Sequence, residues 1–548
     1  MTFSSGRCIS RDRLRDEESA PLPSDSHSSH RISPVVAYNF KVLVARRRWR
    51  TVAPLLLLLP ALLSAAPSTR ARHRSRKPAA QGLNDAALAK LSLEDALSRV
   101  ADRAPARPKG LSVQIAELDS GKVVLERNPQ QPETVASVTK MFSTAAALHF
   151  LGPSYKFKTT LWRRGDIKEG LLQGSLLVVG GGDPNISGRF YNDDYNYIFD
   201  RWAEGLKKAG ILRVGGDLIL NSSFFDSVSR HPEWPAGQEA KWYQAPISAL
   251  SYNDNVVLVE IHPGAHPGQR AIASIEPANG IVHAICSART SGRLGRPRVG
   301  VMRLAGSSAI TVSGSVPSRG AWWSTPIAID DAVGFFGSAL KTRLEVAGIP
   351  LGGELVEKPI KPDNSWVLVA STESDLMPTL AVINKRSQGY YAEQVFKTLA
   401  AEKTGKGSWD NAVALEKQFF TALGLDPARY DLHDGSGLSP QDQVAAADVI
   451  AFLKATSRQP YGAAWKATLA TPGDPDSTLR HRLREPELAS RINAKTGSIA
   501  SVSTLAGYVT ADSGKTYAFA ILLNGRGVWD SSGHAYQDRL LRLLVKKG

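Results

Sequence analysis

The sequence predicts an α/β chain whose two helix-bearing ends are separated by a β-rich block. Three observations carry this expectation. Residues 85–154, and again the stretch beyond about residue 372, hold apolar runs at helical spacing bounded by glycine or proline. Residues 155–370 change to short alternating runs set between Gly, Asp and Asn turns. Two strand-like segments and a helix then close the chain. At 548 residues the length exceeds a single core, so two or three domains are expected.

Taken in order, Asp85 to Val100 reads as one helix, with Leu88, Leu91, Leu93 and Leu97 among its apolar positions. Leu111–Ile115 alternates, turns at Asp119-Ser120-Gly121 and returns as Lys122–Leu125, a hairpin. Ala136 to Leu151 is a helix rich in Ala, Leu, Phe and Met, stopped by Gly152-Pro153. Short strands are expected at Leu176–Val179, Leu218–Leu220, Val256–Val259 and Ala309–Val312. Helices return at Tyr391–Ala401 and Ala412–Leu423. Thr504–Val509 and Tyr517–Leu523 are strands, and His534 to Val545 is the last helix. The division predicted is 1–66, an N-terminal extension with a signal peptide; 67–82, a basic linker; 83–154 with 374–548, a two-piece catalytic domain; and 155–373, the inserted β-rich part.

The formal net charge of +16 raises the question of nucleic acid. Residues 1–66 hold ten Lys/Arg against five Asp/Glu, so +5 lies in the extension and +11 is spread along the rest. That spread suits attraction to anionic polymers or membrane headgroups, at most as peripheral contact, and no nucleic-acid motif accompanies it. Arg46-Arg47-Arg48-Trp49-Arg50, then an apolar run from Val52 to Leu63 and Ser64-Ala65-Ala66, describe a secretory signal. The run is short for a span, which needs about 20 apolar residues. An exported protein, periplasmic or wall-associated, is expected. Cys8 would leave with the signal, so Cys286 has no disulfide partner and is expected as a buried small apolar residue. The 11 histidines show no metal-ligand spacing.

Two motifs carry chemistry. Ser137-Val138-Thr139-Lys140 opens an apolar helix, and residues three apart share a helical face, so the Lys140 amine can reach the Ser137 hydroxyl. A serine needs a base to become a nucleophile, and a lysine serves only when it is neutral part of the time. Lowering its pKa by three units costs roughly 4 kcal/mol, attainable by burial beside a second cation. Lys495-Thr496-Gly497-Ser498 precedes a strand, where Lys and Thr can hold a carboxylate and glycine admits close backbone approach. Lys403-Thr404-Gly405 repeats the letters but follows a helix and reads as its C-cap. Gly180-Gly181-Gly182-Asp183 lacks the Gly-Lys that a phosphate loop requires and reads as a strand-to-turn bend. His433 beside Ser436 lacks a nucleophile elbow, so Asp434-Gly435-Ser436-Gly437 reads as a tight turn near the cleft. Trp242 and Trp322-Trp323 are read as part-buried aromatics rather than sugar platforms.

An early Ser-x-x-Lys with a late strand-borne Lys-Thr-Gly is the pairing of penicillin-recognising serine enzymes. The chain resembles the D-Ala-D-Ala carboxypeptidase/endopeptidase family, the class C low-molecular-mass penicillin-binding proteins with a large insertion after the first motif. Ala136–Lys140, Val179–Pro184, Ser248–Asn255, Asp434–Ser439 and Ala494–Gly497 carry the likeness across most of residues 85–548. The resemblance implies a serine β-lactamase/transpeptidase-like domain, an antiparallel sheet flanked by helices, with the insertion folded as one larger and one smaller part over the cleft. It implies that Ser137 attacks the bond between terminal D-alanines while Lys140 takes its proton. Ser387 would relay a proton, Lys495 and Thr496 would bind the terminal carboxylate, and Gly497 would let the backbone approach. The Ser137 and Ser498 amides would form the oxyanion hole. Peptidoglycan stem peptides are the implied substrates and β-lactams the implied acylating inhibitors, with no metal or cofactor.

One departure stands out. Where the family carries Ser-x-Asn, this chain has Ser387-Gln388-Gly389, and glycine offers neither donor nor acceptor. Removing one positioned donor typically costs about 10²–10³ in rate. Water, Asn384 or Gln388 are the available substitutes, and a binding protein without useful turnover is the alternative reading. Ser251-Tyr252-Asn253 is a literal Ser-x-Asn, but it falls in the insertion and is read as a turn.

Overall fold

The last strand of the chain pairs with its first. In the computed structural model, which describes residues 85–292, 294–319 and 323–548, a five-stranded antiparallel sheet runs in the order Ile492–Ile499, Val502–Thr510, Thr516–Asn524, Leu111–Glu117, Val123–Arg127. Val113 lies opposite Ile521, about three-quarters of the chain away in sequence. The signal-peptide and linker expectations, Cys8 and Trp322 fall outside the described residues.

Alternation along Thr516–Asn524 explains the layers. Phe519, Ile521 and Leu523 point into one apolar cluster, shared with the helices Leu93–Ala101 and Asp530–Lys547. Ala518, Ala520 and Leu522 point into the other, where the small alanines admit helices closely. That second layer holds Thr139–Leu151, Gly389–Thr404, Trp409–Ala422 and Ala446–Ser457. Thr139–Leu151 is apolar on nearly every side, as a helix enclosed by others must be. Its Phe142 meets the edges of Phe452, Tyr430 and Phe420 at centroid distances of 4.7, 5.7 and 5.8 Å.

After Leu151 the chain enters Lys156–Lys168 and comes back along Val367–Asp375. These strands pair antiparallel, Lys156 opposite Asp375, so exit and return are neighbours. They belong to a six-stranded sheet with Leu171–Val179, Leu218–Asn221, Arg213–Val214 and Leu355–Glu357. A three-stranded sheet around Val256–His262 and a four-stranded sheet around Ala309–Pro317 follow. A separate core joins them, including Leu161, Phe199, Trp202, Val257 and Phe335.

Two expectations need correction, and a third needs filling in: the β-rich segment 155–373 also contains the helices Tyr197–Lys208 and Ala332–Val346. Ile198, Phe199, Trp202, Ala203 and Leu206 are buried at helical spacing there, a signal masked by the surrounding alternation. The single helix over Asp85 to Val100 is two, Asp85–Ala89 and Leu93–Ala101, because Ser92 accepts the Asp95 N–H at 3.1 Å and starts a new helix. Cys286 is half-buried at the end of strand His283–Cys286, its side chain packed against the second core.

Candidate active site

Ser137 sits in a tight 3₁₀ turn, Ala136–Val138, that runs straight into Thr139–Leu151. The helix therefore begins three residues later than its sequence suggests. Ala136 adopts φ 47° because Gly437 packs on it: a Cβ at Gly437 would lie 1.9 Å from the Ala136 carbonyl oxygen. The turn swings Lys140 beneath the serine, and its Nζ lies 2.9 Å from Ser137 Oγ.

Lys140 is 2% exposed and also donates to the Ser436 carbonyl at 2.5 Å. Burial lowers its pKa to about 8, opposed by the charges of Asp434, Glu393 and Asp442. A lysine so placed holds an appreciable neutral fraction near neutrality, the condition for taking a hydroxyl proton.

The second lysine comes from the edge strand Ile492–Ile499. Lys495 is fully buried and donates to Ser387 Oγ and to the Thr496 carbonyl, both at 2.7 Å. Burial, and then the charge of Lys140, hold its pKa well below the ordinary lysine range. Thr496 Oγ1 donates to Thr478 Oγ1 at 2.9 Å, and Ser498 Oγ to Asp530 at 2.6 Å. A Cβ on Gly497 would meet Thr504 Oγ1 at 2.2 Å, the Val135 carbonyl at 2.8 Å and the Ser137 nitrogen at 3.1 Å. Glycine is what lets this strand touch the turn that carries Ser137.

Ser387 ends the helix Leu376–Arg386 in the left-handed region, φ 57°. Lys385–Asp474 and Arg386–Asp476 ion pairs, at 2.9 and 2.8 Å, fasten that corner to the loop carrying Thr478. Gly389 starts the next helix. A Cβ there would find only ordinary contacts, 3.6 Å to Ser436 Cβ and 3.8 Å to the Tyr243 carbonyl. Neither proposed substitute stands in for the missing amide. Asn384 is buried, its amide on Thr144 and Thr468 at 3.1 and 2.8 Å, and neither it nor Gln388 lines the cleft.

One cleft of about 720 Å³ is lined by Ser137, Lys140, Ser387, Gly389, Thr496 and Ser498 among others. Sequence reasoning missed part of its wall. Pro235, Gln238, Trp242 and Tyr243 arrive from the inserted segment, and Trp242, read as a part-buried aromatic, is 37% exposed on the cleft. The Asp434 turn is more than a turn: its carboxylate accepts the N–H groups of Ser436, Gly437, Leu438 and Ser439 and the Trp234 indole, at 2.6–3.1 Å. That nest aims the Ser436 carbonyl at Lys140. The signal was present in Asp434-Gly435-Ser436-Gly437, an acid followed by residues that free their amides.

The rejected motifs stay apart from the cleft chemistry. His433 pairs with Glu233 at 3.0 Å and Asp431 at 3.2 Å, not with Ser436. Gly405 caps Gly389–Thr404 with φ 78°, and Gly182, φ 71°, turns the chain after Leu171–Val179. Asn253 lies in a left-handed run with Asp254 and Asn255, its amide on the Val256 carbonyl. Among the described residues, no cluster of His, Cys, Asp or Glu could hold a metal. No described helix is long and apolar enough to cross a membrane.

A family model described as the D-Ala-D-Ala carboxypeptidase 3 (S13) family matches residues 93–547. The chain belongs to this family. As a member it is a serine peptidase of the D-Ala-D-Ala carboxypeptidase class. It is 28% identical over 497 residues to a D-alanyl-D-alanine carboxypeptidase of Actinomadura sp., covering 87% of each chain. Against the D-alanyl-D-alanine carboxypeptidase DacB of Haemophilus influenzae it is 25% identical over 437 residues, covering 79% of this chain and 89% of that one. The crystal structure of penicillin binding protein 4 from H. influenzae superposes with a TM-score of 0.71 at 22% identity, covering 82% of this chain and 99% of the other. The shared fold is the transpeptidase-like one, so the expected α/β class with an antiparallel sheet flanked by helices holds.

Proposed function

We propose that Ser137 forms an acyl-enzyme with the penultimate D-alanine of peptidoglycan stem peptides, releasing the terminal D-alanine, and that water then frees the shortened stem. The observation that carries this reading is a pair of buried lysines, Lys140 on Ser137 and Lys495 on Ser387, whose serines line one cleft. Lys140 takes the Ser137 proton as the hydroxyl attacks the carbonyl. Ser387 passes a proton to the departing amine, with Lys495 orienting it. The terminal carboxylate sits against Lys495 and Thr496, and the Ser137 and Ser498 amides hold the oxyanion. Ile492–Ile499 is an edge strand of the sheet, which suits a substrate backbone laid alongside it.

The same chemistry makes β-lactams suicide acylators of Ser137, and a structure of the H. influenzae relative is described as complexed with a β-lactam. Action outside the cytoplasm follows from a cell-wall substrate, and the Arg46–Ala66 signal supports export. The reading keeps 83–154 with 374–548 as the catalytic part and 155–373 as the insertion, supported by the adjacent exit and return strands. Cleavage of crosslinks between stems uses the same steps with a larger leaving group. The binding-only alternative rested on Gly389 and has no support from the comparisons. Fluorescent penicillin with intact-mass readout, on wild type and Ser137→Ala, tests the proposal. A stoichiometric adduct absent from the variant, with D-Ala released from a stem peptide, is expected. Folded wild type without adduct sinks it, and crosslinked dimers turned to monomers would establish endopeptidase action.

A further inference from the structure

Behind the nucleophile the fold collects four acids away from solvent: Glu393, Glu416, Asp434 and Asp442, each 1% exposed or less. The acyl-transfer steps proposed above use none of them. Asp434 is saturated by its five N–H donors, and Asp442 accepts the Thr139 hydroxyl at 2.9 Å and the His433 N–H at 2.8 Å. Glu393 differs. Its Oε2 accepts the Trp409 indole at 2.8 Å and the Gly435 N–H at 3.1 Å, and the nearby Ser436 hydroxyl favours its charged form, while its Oε1, like that of Glu416, lacks a well-aligned hydrogen-bond partner.

A buried carboxylate with a poorly partnered oxygen favours its protonated form. Burial, and then the charge of Asp434, push Glu393 up to about 8, the range in which Lys140 gives up its own proton. The two are joined through one short loop. Glu393 holds the amide of Gly435, and the carbonyl of the following residue, Ser436, accepts from Lys140. The charged groups around Glu393 and Lys140 come from several elements, among them Lys495 of the edge strand, whose charge faces Lys140. Lys140 lies on the nucleophile helix, Asp434 and Asp442 on the loop, and Glu416 on Trp409–Ala422. Lys397, on its own helix, is paired with Asp226 at 2.6 Å.

We propose that Glu393 is a positioning residue for Lys140: it anchors the loop whose carbonyl holds the amine, and its charge decides how readily that amine becomes a free base. The proposal rests on the Ser137 acylation reading. While Glu393 carries its proton, Lys140 has one fewer negative neighbour and loses its own proton more easily. When Glu393 ionises first, the pair is trapped as ammonium and carboxylate, a form that cannot activate Ser137. The two groups therefore titrate as one unit, and the acid limb of acylation spreads over two ionisations.

The experiment is the rate of acylation by a fluorescent penicillin, followed from about pH 6 to about pH 10, on the full chain and on Glu393→Gln. Glutamine keeps an acceptor for Trp409 and Gly435 while removing the charge. The variant is expected to match wild type below about pH 7, where Glu393 is neutral anyway, and to outrun it about threefold near pH 8. Its acid-limb midpoint falls by about half a unit or more and sharpens to a single ionisation. An unchanged midpoint, or one uniform loss across all pH values, overturns the proposal, because a purely structural role moves rates without moving the profile. Should the variant not fold, the wild-type profile decides: two apparent ionisations support the coupling and a single one refutes it. Wild type that never acylates removes both this proposal and the reading beneath it.

Discussion

Lys495 spends its hydrogen bonds on Ser387 and on the carbonyl of Thr496, both at 2.7 Å. Among the described residues, neither it nor Lys140 makes an ion pair. A buried lysine without a counter-ion is held far from its ordinary protonation, and a carboxylate entering the cleft restores what burial removed. On the proposed function, the substrate's own carboxylate supplies that missing charge.

Lys140 should cost stability and confer activity. Its pKa falls from 10.5 to about 8 on folding, so the unfolded chain binds more protons between those values and stability rises with pH across that window. Below about pH 8 the penalty is fully present, about 3 kcal/mol before its hydrogen bonds offset part of it. Lys140→Met is expected to abolish acylation yet raise stability at pH 7 by about 1–2 kcal/mol, an advantage that fades toward pH 10.5. Denaturant unfolding at several pH values checks this. In wild type, acylation should climb as pH rises through the Lys140 pKa of about 8.

Ser387→Ala removes the hydroxyl that Lys495 holds while leaving the left-handed corner and its two ion pairs in place. Penicillin acylation should slow by about 10²–10³ with a thermal midpoint close to wild type. Stopped-flow fluorescence beside thermal unfolding separates the two effects. A Ser387→Ala protein acylating at the wild-type rate would remove Ser387 from the proton path.

Gly389→Asn restores an amide at a position with room for it, since the nearest atoms to a new Cβ lie at 3.6–3.8 Å. Folding is expected to be unaffected or slightly improved, because glycine weakens a helix by up to about 1 kcal/mol. Acylation should rise at least about tenfold if one missing donor limits the rate. A slower variant would mean that another side chain already occupies that role.

Gly497→Ala tests how tightly the edge strand abuts the nucleophile. The new methyl collides with Thr504 Oγ1 and the Val135 carbonyl, so the strand and the turn must separate. Loss of acylation by about 100-fold or more is expected, with stability lowered by about 1–3 kcal/mol. Penicillin labelling and chemical unfolding of the same preparation read both.

Much of this was legible because it is local. Ser137 to Lys140 is three residues on a turn, and the apolar texture of Thr139–Leu151 announces an enclosed helix. Phe519 against Ala520 states which sheet face meets which layer. What escaped is what the chain assembles from afar. Gln238 and Tyr243 reach the cleft only because the inserted segment folds back over it, and nothing in their own neighbourhood encodes that. Glu393 was visible within a recognised stretch, yet its partner loop begins 41 residues later, so its place under Lys140 had no local trace. The helix Tyr197–Lys208 had the right spacing and was lost among flanking strands.

The pairing of Leu111–Glu117 with Thr516–Asn524 has a consequence for timing. During synthesis the nucleophile and its base emerge early, but the sheet's middle remains unfilled until the last tenth of the chain has appeared. Lys495 arrives with those same late strands. On the proposed reading, a product truncated before residue 492 holds Ser137 without the Lys495 strand and is expected to show no acylation by penicillin. Long-range closure of this kind folds slowly and all at once.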